Sequence, residues 1–379
     1  MSLDNLLARE FPQDPGLVYL NHAAVSPWPR RSADALIEFA NEITHTGAEQ
    51  YKRWEAREDV LREQIRDLIN APSTADIALL KNTSEAISVV AAGINWQSGD
   101  NIVSTNEEFP SNRIPWEAQQ GRGATLKRVA VQGDDPEAEL IAACDEKTRL
   151  MTVSSVQYGS GLRLDLERLG KFCAENDILY CVDAIQSIGA YAFDVQAIKA
   201  DFVMADAHKW MLGPEGLALF YCKASVREQL ELHQYGWHMV EHAGDYDRED
   251  WEIAASARRF ECGTANMLGT FALSASLSLL DEVGIETIES RILDNAHYLY
   301  SQLQELADID FISRHDRKLQ SGIVTFRLGK GEQKNLHAQL MRNRVVCAHR
   351  FGGIRLSPHF YTSRDRLDKV LTILADWNQ

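Results

Sequence analysis

Two stretches separated by a single crossover decide the fold: ILYCVDA at residues 178–184 and DFVMADAHKW at residues 201–210. Each is a nearly continuous apolar run that ends in polar residues. Strands without in-and-out alternation are buried on both faces, which calls for a largely parallel sheet covered by helices on either side. The same rhythm extends outward on both sides. DIALLKN precedes SEAISVVAAGI, NIVSTNEEF precedes SNRIPWEAQQG, RLMTVSSVQY precedes LDLERLGKFCAEN, and LALFYCK follows as a further strand, all within about 76–223. Open sheets of this kind collect ligands outside the carboxyl ends of their strands. The polar residues that close each run are therefore the candidates for chemistry.

Beyond residue 265 the pattern changes. MLGTFALSASLSLLDEVG and IETIESRILDNAHYLYSQLQELA read as two helices broken at Gly284, and SGIVTFRLG, RVVCAHR and GGIRLSP read as strands before a closing helix, SRDRLDKVLTILADWN. A chain of 379 residues exceeds one ordinary core. The expected division is an N-terminal arm (1–18), a large domain (19–265), and connecting helices with a smaller α+β C-terminal domain (266–379). A net charge of −16, with no basic run to offset it, excludes phosphate-backbone binding as the main task, so no nucleic-acid partner is expected. The six cysteines are scattered without a CxxC pair, which suits a reducing compartment and offers neither a disulfide framework nor a zinc site. The N-terminal MSLDNLLAREFPQDPG lacks a signal-peptide pattern, and no apolar stretch has the length of a membrane span, so the expectation is a cytoplasmic protein with no membrane partner.

Lys209 stands at the mouth of a buried strand, a poor place for solubility. A partly desolvated lysine loses its proton more easily and becomes a nucleophile. Asp183 ends the neighbouring run with Gln186 three residues on, and a carboxylate there could cap the strand, bind a metal or face a protonated ring nitrogen. No His, Cys or acidic cluster at ligand spacing accompanies it, so no metal is expected. In KNTSEAIS, Asn82 and Glu85 have capping-box spacing, and Thr83 and Ser84 offer hydroxyls at a helix start. That segment could be a simple cap or a phosphate site. An acid for a ring nitrogen, a lysine for a Schiff base and a helix end for phosphate are the three grips that pyridoxal phosphate requires.

With YLNHAA from residue 19, VDAIQSIG, DAHKW, RFECGTANM and IRLSPHFYTS from 354, the sequence resembles the class V aminotransferase superfamily of fold-type I pyridoxal-phosphate enzymes. That group also contains cysteine desulfurases, selenocysteine lyases, kynureninases and isopenicillin-N epimerase-like proteins. The resemblance implies that Lys209 forms the Schiff base, Asp183 pairs with the pyridine nitrogen and Gln186 contacts the phenolic oxygen. Thr83, Ser84 and His208 would hold the phosphate. Thr264 would reach the phosphate of a neighbouring subunit, which implies a homodimer with shared active sites. Arg355 would bind the substrate α-carboxylate, a task suited to a guanidinium fork. Phe109 would cover the cofactor ring, where desulfurases carry a histidine. Asn112 and His22 are candidates for contact with substrate, and His349 and Arg350 for a second acidic group.

Three departures matter. RVVCAHRFGGIRLSP runs almost directly into the arginine strand, where desulfurases place a mobile cysteine loop, so Cys347 reads as a buried thiol. Ser155 replaces an asparagine common in desulfurases. Asp206 occupies the position of a small phosphate-binding hydroxyl, and a carboxylate that repels phosphate is expected to turn toward a backbone amide or an arginine. The expected reaction is transamination of a small amino acid, which needs only Lys209 and Arg355. C–S lyase or desulfurase-like chemistry and epimerisation are the alternatives. A non-enzymatic regulator is disfavoured because nothing before YLNHAA has room for a helix-turn-helix module.

Overall fold

The computed structural model describes residues 2–314, 316, 320–329 and 331–377. A short strand, β1 (Val18–Tyr19), is followed by the strands of the main sheet: β2 (Ile77–Leu80), β3 (Asn101–Thr105), β4 (Thr125–Val129), β5 (Thr148–Ser154), β6 (Leu179–Asp183), β7 (Phe202–Asp206) and β8 (Ala218–Cys222). Their spatial order is β2-β8-β7-β6-β5-β3-β4. Neighbours are parallel except for β8, which runs antiparallel to both β2 and β7. The GPEG turn between β7 and β8 leaves too few residues for a crossover helix, so the chain must return antiparallel.

Every residue of β2, β3, β7 and β8 is buried. Alternate side chains feed two separate cores. Val103, Val153, Val182 and Val203 pack on one face with Leu169 and Cys173 of the helix Leu166–Glu175. Ile102, Leu150, Cys181 and Phe202 pack on the other with Ile87 and Val90 of the helix Thr83–Gly93. Helices on both faces account for the uninterrupted apolar runs. Strand β4 escapes a pattern reading because it is a polar, half-exposed edge. SNRIPWEAQQG forms only one α-turn, Ile114–Glu117, between two 3-10 segments; Pro115 within it and Pro110 just before it cannot donate to a continuous ladder.

The smaller sheet has the order β12-β13-β10-β9, built from β9 (Ile309–Phe311), β10 (Val324–Leu328), β12 (Ala348–Arg350) and β13 (Gly353–Leu356). Strand β11 (Val345–Val346) pairs instead, in parallel, with β1. Val18 and Leu20 thereby join a third core with Leu299, Phe326 and Leu367, so the N-terminal arm packs with the C-terminal part of the chain. The proposed boundary at 265/266 falls just before the helix Met267–Val283, which packs against two helices the sequence reading did not resolve, Arg30–Thr46 and Tyr51–Leu68. Among the described residues no single helix is long and apolar enough to cross a membrane.

One close approach seats the lysine turn. Gly189 has φ +91°, and a Cβ there would lie 2.6 Å from the backbone carbonyl of Trp210. The segment after β6 thus presses on the segment after β7, next to Lys209. Gly189→Ala should lower the free energy of unfolding by at least about 1–3 kcal/mol, the usual cost of a residue held in a sparsely populated conformation. Urea denaturation of the two proteins would measure it, and an unchanged midpoint would show that the turn moves freely.

Candidate active site

At the carboxyl ends of β6 and β7 lies a cavity of about 200 Å³, lined by Thr83, Phe109, Asp183, Gln186, Lys209 and Arg355, among other residues. Lys209 is buried. Burial pushes its ammonium down to about 8, with Asp183 opposing that shift and Arg355 adding to it. Asp183, the last residue of β6, is likewise buried and is pushed up to about 7, first by burial and then by the charge of Glu108, against a hydrogen bond from the Ile185 N–H at 3.1 Å. A buried carboxylate driven toward neutrality gains most from a protonated nitrogen facing it. The Lys209 ammonium nitrogen lies 5.7 Å from the centre of the Phe109 ring, and that ring meets Tyr158 edge-on at 5.0 Å.

The helix Thr83–Gly93 begins at this cavity. Asn82 caps it by accepting from the Glu85 N–H at 2.8 Å, and Glu85 reaches back to the Lys81 N–H at 2.7 Å, a reciprocal cap. Ser84 donates to Ser111, which lines the cavity, at 2.7 Å. Asp206 turns toward a backbone amide, as its carboxylate chemistry demands: Oδ2 accepts from the Thr83 N–H at 3.2 Å, and its own N–H donates to Thr83 Oγ1 at 3.0 Å. Asp206 Oδ1 and His208 Nδ1 are buried without partners, 4.0 Å apart. Burial pushes Asp206 up to about 6 and His208 down to about 4.

Gln186 is clamped at both ends, donating to the Ala23 carbonyl at 3.0 Å and accepting from the Trp210 indole at 2.8 Å. Arg355, on β13, is 1% exposed. It donates to the Tyr158 carbonyl at 2.7 Å and to Asn21 Oδ1 at 3.3 Å, while its Nε has no partner. Burial, then the charge of Arg350, push it down to about 9. A buried guanidinium with an unused donor suits an incoming carboxylate.

Five sequence candidates lie outside the cavity wall: Ser84, which reaches it only through Ser111, and His349, Asn112, His22 and Thr264. Asn112 is wholly buried and saturated: it donates to Glu108 at 3.0 Å and accepts from Trp116 at 2.9 Å and Thr152 at 2.7 Å. His22 is buried behind Ala23 and Ala24, bonded to the Ser357 carbonyl at 2.8 Å and the Tyr361 hydroxyl at 2.7 Å, so neither ring nitrogen is left for substrate. Thr264 is exposed and away from this wall. Conversely, Ser111, Ser154 and Tyr158 line the cavity without having been singled out. Ser154 ends β5, so the strand-end rule could have found it. Glu108 was also missed: it is buried and gathers hydrogen bonds from Thr105, Asn112, Ser154 and Gln157, which braces the wall from behind.

The residues present fit pyridoxal phosphate. A buried acid, a buried lysine and an aromatic face surround the space for a ring. A helix N-terminus with hydroxyls and an unpartnered histidine nitrogen marks a place for phosphate, with Asp206 as the discordant member.

Comparison with known proteins agrees with this geometry. The family model for Aminotransferase class-V matches residues 18–362. The chain is 30% identical to a probable cysteine desulfurase of Methanothermobacter thermautotrophicus, over 95% of this chain and 94% of that protein. It is 27% identical to a probable cysteine desulfurase of Pyrococcus abyssi, over 99% and 98%. Its fold is shared with the apo cysteine desulfurase of Thermococcus onnurineus, at a TM-score of 0.89 and 23% identity, covering 100% of this chain and 98% of that one. A cystine C–S lyase in complex with its reaction product cysteine persulfide also shares the fold, at a TM-score of 0.89 and 21% identity, covering 97% and 99%. The chain therefore belongs to the class V aminotransferase family and is a fold-type I, pyridoxal-phosphate-dependent enzyme.

Proposed function

We propose that this enzyme cleaves the carbon–sulfur bond of a small sulfur-bearing amino acid by β-elimination, and that the sulfur leaves into solution rather than onto a cysteine of the chain. The lyase half of this reading is supported by full-length relatives named as desulfurases and by a cystine C–S lyase of the same fold. The observation that carries the second half is the setting of Cys347. It sits between β11 and β12, 4% exposed, with its thiol pushed up to about 12 by burial. Only Phe351 and Gly352 separate β12 from β13, which leaves no mobile loop to present a thiolate. Among the described residues no cysteine, Cys347 included, lines the cavity.

Bound pyridoxal phosphate supplies an electron sink for negative charge at the substrate's α-carbon. The chain's residues do the rest. Arg355 holds the α-carboxylate. Lys209, its proton loosened by burial, takes the α-proton at Nζ. Asp183 would keep a proton on the pyridine nitrogen, and Gln186, locked by Ala23 and Trp210, would face the phenolic oxygen. Thr83, Ser84 and His208 would hold the phosphate, while Phe109 would cover the ring. Over one turnover the Cβ–S bond breaks with its electron pair going to sulfur, one water enters, and keto acid, ammonia and a thiol leave. Thr264, exposed in the single chain, would complete the phosphate site of a second copy in a homodimer. Asn112 and His22 act in this scheme as supports for the wall.

Transamination is the rival the chemistry must separate. With L-cystine or L-cysteine as sole substrate, the expected result is a persistent lysine-bound cofactor absorbance while keto acid, ammonia and thiol or sulfide accumulate over many turnovers. Stoichiometric loss of that absorbance with one keto acid per site would establish transamination instead. Cys347→Ala should retain the turnover, and its loss would make Cys347 a sulfur carrier.

Lys209→Ala should abolish the lysine-bound absorbance and lower kcat by about 10²–10⁴-fold, the usual weight of a positioned acid–base group. A borohydride-fixable cofactor on a different lysine would refute the assignment.

Asp206 makes cofactor affinity depend on pH. Its carboxyl is raised, so it is neutral below about 6 and ionised above, and ionisation places a negative charge beside the phosphate. Affinity of the apo-protein for pyridoxal phosphate should therefore fall as pH rises through about 6, and Asp206→Asn should lessen the fall. The phosphate titrates in both proteins, so the difference between their fluorescence titrations reports the Asp206 carboxylate together with its effect on His208, 4.0 Å away. Parallel curves would place the carboxylate away from the phosphate.

A further inference from the structure

Arg355 shares its cavity wall with a second guanidinium, that of Arg350 at the end of β12. The hairpin that carries both turns through Phe351 and Gly352, with φ of 50° and 73°. A two-residue loop with both φ positive matches the twist of the flanking strands, and it pairs Arg350 with Gly353 and Ala348 with Arg355. The turn is also anchored from outside. The Phe351 ring lies where a Cβ on Gly159 would fall, 2.5 Å away, and it meets Tyr158 edge-on at 5.4 Å. Arg350 is thus mounted on a braced element.

Among the described residues neither guanidinium meets a carboxylate. Arg350 donates to the carbonyl of its neighbour His349 at 2.9 Å, and Arg355 donates to a carbonyl and an amide oxygen. Arg350 is the strongest charge acting on Arg355, ahead of any other group. The acidic residues of the cavity, Asp183 and Asp206, favour the charged form of Lys209, whereas Arg355 and Arg350 both oppose it. Arg355 is buried and Arg350 is partly so, and two like charges on one wall repel each other and are costly without counter-charge. One α-carboxylate neutralises one of them, by a paired contact to the fork. The second guanidinium is left over.

We propose that Arg350 binds a second anionic group of the substrate, so that the preferred substrates are α-amino acids whose side chain or sulfur substituent ends in an oxyanion such as a carboxylate, sulfinate or sulfonate. The inference rests on Arg355 as the α-carboxylate clamp of the proposed function, and it names the substrate class for that site. Phe109 and Tyr158, which line the cavity, would flank the apolar body of such a substrate.

The test uses the enzyme loaded with pyridoxal phosphate and two matched probe pairs, L-cysteine sulfinate against L-cysteine and L-aspartate against L-alanine. The readout is the change in cofactor absorbance on rapid mixing, before products form. In each pair the dianionic member should half-saturate at a concentration lower by tenfold or more, about 1.4 kcal/mol. Arg350→Gln should bring that ratio close to one. Arg350→Lys should hold an intermediate ratio, because an ammonium keeps the charge but loses the planar fork. A wild-type ratio near one, or a preference that survives Arg350→Gln, overturns the proposal. Because the ratio reports binding, its fate is separate from that of the reaction: stoichiometric transamination with the ratio intact would refute only the lyase reading, and turnover with a flat ratio would refute only this inference.

Discussion

The amine of Lys209 and the carboxylate of Asp183 are held out of water together; Asp183 is the main relief for the buried ammonium, while Asp183 is relieved first by the Ile185 N–H and then by Lys209. Burying an unpaired charge is far more costly than burying a matched one, so neither residue could sit there alone without neutralising. This mutual dependence demands the architecture around it. Two adjacent parallel strands must end side by side, with Asp183 in register with Met204 of β7. The backbone after β6 must then touch the backbone after β7, which is the contact only a glycine at 189 permits. Gln186 and Trp210 close the same junction with a side-chain hydrogen bond.

A second constraint comes from the C-terminal part of the chain. Arg355 enters the cavity on a strand of the small sheet but is oriented by Tyr158, just beyond β5, and by Asn21, just beyond β1. A charge-bearing side chain fixed by three separate segments cannot follow local mobility. In the proposed function it would position an incoming carboxylate relative to Lys209 only when all three segments are docked. The energetic cost of leaving guanidinium donors unused in a buried wall is of the kind that functional sites tolerate in exchange for pre-organisation. Asp206 is a further case. Its carboxylate is kept in place by a reciprocal pair of bonds with Thr83, at the same helix start proposed above to hold the phosphate.

The main strands and the three cofactor grips were legible along the chain because they depend on local pattern. Continuous apolar runs reveal strands buried on both faces, and strand ends mark where polar side chains converge. Strand β4 was not legible, since an edge strand needs no apolar face toward a second layer. His22 and Asn112 are near the cavity in sequence terms, yet both point into the surrounding packing. Their orientation is decided by partners far along the chain: Ser357 and Tyr361 for His22, Thr152 for Asn112. Glu108 was invisible for the same reason, because its role lies in bonds that span several loops.

By itself the sequence determined the chemistry at hand: a lysine, an acid and a helix cap at the ends of buried strands, within a motif set that identifies the cofactor. Those features are encoded by residue type and short spacing, which survive any change of distant partner. Only the tertiary structure decided which side chains face the cavity and which brace it. It also decided that Cys347 is buried between β11 and β12, and that Arg350 and Arg355 line one cavity and, among the described residues, meet no carboxylate. Burial and pairing are properties of contacts between segments hundreds of residues apart, and no local pattern records them.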